Sequence, residues 1–403
     1  MSRSPNRSSK RKVLISGASI AGPALAYWLQ RYGFEVTVVE KASAVRGGGY
    51  PIDVRGTALD VIDRMGALPQ LRAAHIDSRR ISFVGADGAA LGSIRPEVLT
   101  GGVEGRDVEV GRGDLADLLH EAVRDEVEFL FGDSIATLHD HEGGVDVVFR
   151  GGAQRTFDLV VGADGLHSHT RGLVLGPEEQ YHRYLGYCFA GFTMPNHFGL
   201  SHEALLWNVP GKAAALYASG DAEQVHAFLV FTRPEPPFEA FRNPGAQRDL
   251  VASVFAGEQW EIPRMVAAMH AADDLFFDVA SQIHMPRWSQ GRVALVGDAA
   301  HAPSFFSGQG SSIALVGAYV LAGELATNPD HRSAFAAYEH GARGFVELNQ
   351  ALAGKGGVSV APRTAEELAR RNAALRASSS LPSGDEGRAV NSALTLPTYA
   401  PAL

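Results

Sequence analysis

Residues 12–40 read KVLISGASIAGPALAYWLQRYGFEVTVVE. Val13, Leu14 and Ile15 make a short apolar run that reads as a buried parallel strand. Ser16 to Gly22 is a tight turn of small residues, Ala24 to Tyr32 a helix stopped by Gly33, and Glu35 to Val39 a second strand. Strand, turn, helix and strand within about thirty residues is the setting in which a dinucleotide fingerprint has physical meaning. Gly17 permits the sharp turn, Gly22 lets the helix pack closely on the strands, and Ala26 continues that face. The N–H groups of the turn and of the helix start, with Ser19, Ile20 and Ala21 among them, then point at a pyrophosphate. Glu40 closes the second strand, 23 positions after Gly17 (40 − 17 = 23), and Lys41 follows it. A carboxylate there suits a ribose hydroxyl and repels a 2′-phosphate, so the tightly held nucleotide is not NADP. Ser19 stands where the fingerprint has its middle glycine, and its hydroxyl can itself donate to phosphate. Taken alone, the stretch is as readily an ordinary βαβ unit with small residues in its turn.

Composition narrows the class. The 403 residues are 45% hydrophobic and 20% charged, which is globular usage, and the length predicts two domains. A net charge of −9 argues against a nucleic-acid partner. The single cysteine, Cys188, lies in the apolar run YCFAGF and reads as a buried small hydrophobe; it permits no internal disulfide and no cysteine metal site. Residues 1–11 are basic and serine-rich without an apolar segment of their own, which predicts a disordered tail and a cytoplasmic protein. No window reaches the ~18 consecutive apolar residues of a membrane span.

Later stretches bear on the first. KASAVRGGGYPIDVRG (41–56) is a loop in which Arg46, Gly48 and Asp53 flank a glycine run that lets backbone approach a flat ligand. VEVGRGDLADLLHEAV (108–123) is a strand entering a helix at Asp114, with Arg112 at the junction, placed for a phosphate or ring system and equally well for solvent. Val127–Leu130, Ser134–His139 and Val145–Phe149 read as an antiparallel meander. FDLVVGADGLHSHTR (157–171) carries a third buried strand with Asp164 at its carboxyl end, where ligands of open α/β sheets lie. From 181 to 286 the alternation changes to long antiparallel strands rich in Phe, Tyr, Trp and Met, which are core residues singly and the wall of an aromatic pocket collectively. The chain then returns with a strand at 293–296 and GDAAHAPSFFSGQGSSIALVGAYVLAGEL (297–325), a second strand-turn-helix element in which Gly308, Gln309, Gly310 and Ser311 open a long helix.

Placed in this order, GASIAG with Glu40, ADG at 163–165, and GDAAH with GQG at 297–310 resemble the motifs of the class A flavoprotein monooxygenases. These are the para-hydroxybenzoate hydroxylase-like family, which includes polyketide hydroxylases and tetracycline-inactivating monooxygenases. The resemblance covers roughly residues 12 to 350. It implies an α/β architecture: a Rossmann-like FAD-binding domain (12–180 and 287–325) with an inserted, mainly antiparallel β-sheet substrate domain (181–286); beyond them the sequence itself predicts C-terminal helices (326–377) and, from Ser/Pro/Gly-rich composition, an extended or disordered tail (378–403). It implies FAD as cofactor, with Gly297 and Asp298 on the ribityl chain, Arg112 in contact with FAD, and Arg46, Gly48 and Asp53 near the flavin. Ser311 and Ser312 replace an asparagine common in the family, which leaves backbone donation from Gly310 and Ser311. The implied reaction uses transient NAD(P)H and O2, passes through a flavin C4a-hydroperoxide and hydroxylates a small aromatic or polyketide-like natural product. A phenolic substrate is activated as its anion; His301 or His284 are candidate bases, with core packing the commoner role for such histidines. His167 and His169 lack a metal spacing, and no metal is expected. An oxidase, dehydrogenase or Baeyer–Villiger enzyme on the same fold, and a non-catalytic FAD-binding protein, stay open as alternatives, as do NADH against NADPH and monomer against homodimer.

Overall fold

The computed structural model describes residues 10–400 apart from 46, 48, 101, 221, 242 and 378–383. The expected flavin-loop residues Arg46 and Gly48 therefore lie outside the described residues, as does most of the tail expected over 1–11. Among the described residues, six strands form one sheet in the order Ser289–Gln290, Val293–Leu295, Leu159–Gly162, Lys12–Ser16, Glu35–Glu40, Glu128–Phe131. The opening strand runs parallel to both neighbours, with Val13 opposite Leu159 on one side and Val36 on the other. Strict burial of both its faces explains the unbroken apolar run. Val13 and Ile15 pack under the helices Ala21–Arg31 and Gly310–Thr327, while Leu14 meets the strands Ile135–His141, Gly144–Phe149 and Gln154–Phe157 on the other side.

Those three strands are the antiparallel meander. The expectation that Val127–Leu130 belongs to it is corrected: Phe129 and Leu130 pair in parallel with Val38 and Val39 and extend the main sheet. Three apolar residues around Glu128 are too few to set a period and carry no signal of which sheet they join.

A second sheet has the order Phe276–Ile283, His182–Pro195, Gln224–Thr232, Lys212–Ala218, Glu203–Val209, Arg80–Val84, Ala90–Ile94. Its last two strands come from well before residue 181, and Arg80–Val84 joins Glu203–Val209 in parallel. One face, with Cys188, Trp207, Leu229 and Phe231, is closed by the helices Pro244–Phe255 and Ile262–Ala271. By alternation the other face carries Phe189, Gly191, Ala213, Ala215, Tyr217 and Phe228. A two-stranded ribbon, Pro51–Val54 with Val108–Gly111, lies between this face and the main sheet.

Gly310–Thr327 is long and apolar enough to cross a bilayer, but 72% of that window is buried within the protein, as a central helix would be. The expectation for the C-terminal tail is corrected in part. Gly384–Asn391 is helical, and the irregular segment after it is packed: Thr57 donates to the Leu394 carbonyl, and Arg64 and Tyr319 both donate to the Pro397 carbonyl. Its few apolar residues, Leu394, Leu396 and Tyr399, suffice because a groove on the first body receives them.

Candidate functional site

The carboxyl ends of the central strands converge on the first turn. Gly17 adopts φ +111°, and a side chain there would press on the Ala163 carbonyl. A Cβ on Gly22 would overlap the Gly17 carbonyl oxygen, so the helix start rides directly on the turn. Ile20 and Ala21 are buried beneath it, and a Cβ on Gly297 (φ +64°) would meet the Ala21 methyl at 2.9 Å. The two strand-turn-helix elements therefore abut with only hydrogen atoms between them.

Charged groups ring this cradle. The Glu40 carboxylate accepts from Ala18 N and Ala42 N, both at 2.9 Å, which fixes it at the end of the second strand beside the turn. Arg112 reaches across to donate to Ser19 Oγ at 2.8 Å. The serine in the middle glycine position is thus an anchor for the arginine that the sequence places near the ligand. Asp298 begins the short helix Asp298–His301, and burial raises its pKa while the nearby Arg112 charge opposes that rise. Its Oδ1 lies 3.7 Å from where a Cβ of Gly310 would be. Gly308 is left-handed (φ +63°) and faces the Asp53–Arg55 ion pair, whose guanidinium is buried. Gln309 is 1% exposed, and neither its amide oxygen nor its amide nitrogen has a hydrogen-bond partner among the described residues. Ser311 is half-buried in the first turn of the long helix.

Of the other expected site residues, Asp164 adjoins the turn at Gly17 through its backbone. Lys41 is exposed. The Asp164 carboxylate is turned onto its own loop, where it accepts from Ser168 Oγ and from Thr170 N and Oγ1. Buried Arg171 then ties this loop to the other motif by donating to the Leu166 and Ala299 carbonyls. His301 as a base is corrected. Its ring is 1% exposed, packs on Trp288 at 4.6 Å and shares a 3.3 Å contact with the Tyr338 hydroxyl against Gly317. Burial pushes its pKa down to about 3, so it stays neutral at working pH. His284 is on the surface and bonds Gln282.

Between the cradle and the second sheet runs a line of aromatic rings. Tyr50 contacts Phe228 at 6.0 Å and Phe276 at 6.3 Å; Phe276 contacts Phe189 at 5.7 Å, and Phe189 contacts Phe305 at 4.3 Å. Phe276 and Phe305 are 43% and 38% exposed, which leaves the line open on one side. Gly191 lies beneath it, where a Cβ would touch the Phe228 ring. Tyr50, Phe189, Phe228, Phe276 and Phe305 were not singled out by sequence reasoning. The alternation that puts every second residue of a strand on one face was the available signal, but it could not say which face met the first body.

Comparison with known proteins agrees with this arrangement. A family model described as an FAD binding domain matches residues 10–349. An uncharacterized protein of Mycobacterium tuberculosis is 44% identical over 362 residues, 89% of this chain and 97% of the relative. A flavin-dependent monooxygenase from an unknown prokaryotic organism is 39% identical over 370 residues, 90% of this chain and 94% of the relative. The crystal structure of the tetracycline destructase Tet(55) superposes with a TM-score of 0.84 at 36% identity, covering 97% of this chain and 99% of that one. The family match over residues 10–349 and the monooxygenase relatives show that the chain belongs to the FAD-binding class A flavoprotein monooxygenases.

Proposed function

We propose that this enzyme uses NAD(P)H and O2 to place one oxygen atom on a fused-ring aromatic or polyketide-like substrate bound between the first turn and the open face of the second sheet. The aromatic line from Tyr50 to Phe305 carries the reading, because it supplies flat apolar surface beside a cradle that suits a dinucleotide. The name of the structural neighbour Tet(55), a tetracycline destructase, supports a polycyclic substrate.

The residues present fit FAD. The Gly17–Gly22 turn admits backbone approach and nothing larger, and the unpartnered Gln309 amide is a buried polar group in want of a ligand. In this reading Glu40 takes the ribose hydroxyls, Arg112 with the N–H groups of 19–22 takes the pyrophosphate, and Asp298 takes the ribityl chain. Gly310 and Ser311 then offer backbone donors to the ring system, and Asp53 is held beside them by Arg55. When bound, FAD supplies the redox chemistry, passing electrons from NAD(P)H to dioxygen. The protein's own work is to orient the substrate ring against Phe189, Phe228 and Phe276 and to exclude water there.

The test is to load the protein with FAD and supply NADH or NADPH, labelled dioxygen and a panel of phenolic polyketides. Incorporation of one labelled oxygen atom per nicotinamide oxidised is expected. Nicotinamide oxidation that yields only hydrogen peroxide with every substrate overturns the reading.

A further inference from the structure

The ribbon between the two sheets presents, beside Asp53, a second carboxylate, Glu109, that the proposed cofactor contacts do not require. Asp53 and Glu109 are directly opposed across its two strands. Their neighbours Val54, Val108 and Val110 are buried in the core, so the two acids share the other face of the ribbon. Asp53 is paired with Arg55. Glu109 instead accepts from Ser78 Oγ through its Oε2, and Ser78 Oγ also contacts the Tyr217 hydroxyl. Ser78 has one hydroxyl proton and gives it to Glu109, so Tyr217 is the donor in the second contact. The result is a directional chain running Tyr217 to Ser78 to Glu109.

Tyr217 belongs to the open face of the second sheet, directly opposite His226 and next but one to the Phe228 pairing row. Its ring therefore shares a sheet face with Phe228 of the aromatic line, and its hydroxyl meets Ser78. Building on the functional reading above, we propose that Glu109, Ser78 and Tyr217 form a proton relay that takes the proton from a hydroxyl of the bound substrate. The substrate O–H bond breaks as its proton passes to the Tyr217 oxygen. The Tyr217 proton passes to Ser78, and the Ser78 proton to the Glu109 carboxylate. One proton moves in all, the two hydroxyls are regenerated, and the substrate keeps the electron pair as an oxyanion.

The surroundings suit the terminal acceptor. Burial, and then the charge of Asp53, push the Glu109 carboxyl up to about 7, against the pull of Ser78, Tyr217 and Arg55. Burial pushes the Tyr217 hydroxyl well above its ordinary value, so it hands a proton on and does not hold an anion. Of the other charged groups nearby, His75 contacts only the Glu109 backbone, Asp77 pairs with Arg79 at the surface, and Asp107 accepts from Gly56 N and Val103 N.

Two measurements on the FAD-loaded protein test the relay. Infrared difference spectra across pH 7 are expected to show a protonated-carboxyl C=O band that disappears on raising the pH and is absent from Glu109→Gln. With a phenolic substrate that the wild type oxygenates, kcat is expected to fall about a hundredfold in Glu109→Gln, Ser78→Ala and Tyr217→Phe, with loss of the ionisation near neutral pH and little change in KM. Ser78→Thr, which keeps a hydroxyl, is expected to restore both. Variants that retain the wild-type pH profile, or a C=O band that survives in Glu109→Gln, overturn the relay alone. A wild type that oxygenates no phenol overturns the functional reading and the relay with it.

Discussion

At the scale of single residues, contact distance decides most of what matters. Gly22 has no room for even a methyl group, because a Cβ overlaps the Gly17 carbonyl oxygen. Gly22→Ala is expected to cost about 1–3 kcal/mol and to weaken FAD retention, read by thermal unfolding and by the flavin left after gel filtration. A variant as stable and as yellow as wild type contradicts it. Arg112 is held by Ser19, and in the proposed reading its charge acts on the pyrophosphate. Arg112→Ala is expected to raise the FAD dissociation constant about tenfold to a hundredfold without unfolding the chain. His301 has the core-packing role that is the commoner one for such histidines. As pH falls below 6.5 the unfolded chain takes up a proton at this imidazole, while the folded chain refuses it until about 3. Stability is therefore lost on acidification through that window. His301→Gln is expected to flatten the acid limb of denaturant stability, and an unchanged slope contradicts the assignment. That Gly17, Gly22, Glu40, Arg112 and Asp298 gather about one turn was legible, because spacing from a strand end defines their places. His301 was not, because a single chain does not disclose which polar residue the helices enclose, and Glu109 and Tyr217 meet only through a cross-sheet contact.

Among the elements, the helix Gly310–Thr327 does more than open the second motif. Gly323 leaves a notch filled by the Tyr399 ring, whose hydroxyl donates to Glu324 at 2.7 Å. The tail thereby clamps the helix, and at Gly56 it abuts the helix Thr57–Arg64 that follows Asp53 and Arg55. Removal of residues after Asn391 is expected to lower stability by about 2–4 kcal/mol, since the apolar surface that Leu394, Leu396 and Tyr399 cover becomes exposed. Tyr399→Ala should give part of that loss, and equal melting temperatures for all three chains would count against the clamp. The sequence of this segment reads as polar and proline-rich, and its order comes from the surface it meets. The strand Glu128–Phe131 shows the same limit: its residues say strand, and only pairing with Val38 and Val39 says which sheet.

For the molecule as a whole, the two sheets face one another across the ribbon and are tied at the rim by His167. Its ring lies between Glu178 (2.7 Å) on the first body and Asp278 (3.2 Å) on the second sheet. Asp278 first, then Glu178, hold its pKa up at about 10. The tie is complete below pH 6.5 and is lost as pH rises through about 10. His167→Gln should therefore be less stable than wild type near neutral pH, and the gap should close on the alkaline side; a gap independent of pH contradicts the ion pair. The βαβ opening and the antiparallel insertion were both legible from periodicity. That residues 80–94 would leave the first body to extend the second sheet was not, since short strands of mixed pattern name no partner. The central claim is that FAD lies along the first turn with its ribityl chain at Asp298. Fluorescence titration of apoprotein with FAD, wild type beside Asp298→Ala, tests it most directly. One FAD bound per wild-type chain and binding at least about tenfold weaker in the variant are expected. Apoprotein that binds no FAD, or a variant that binds it as tightly as wild type, contradicts the account.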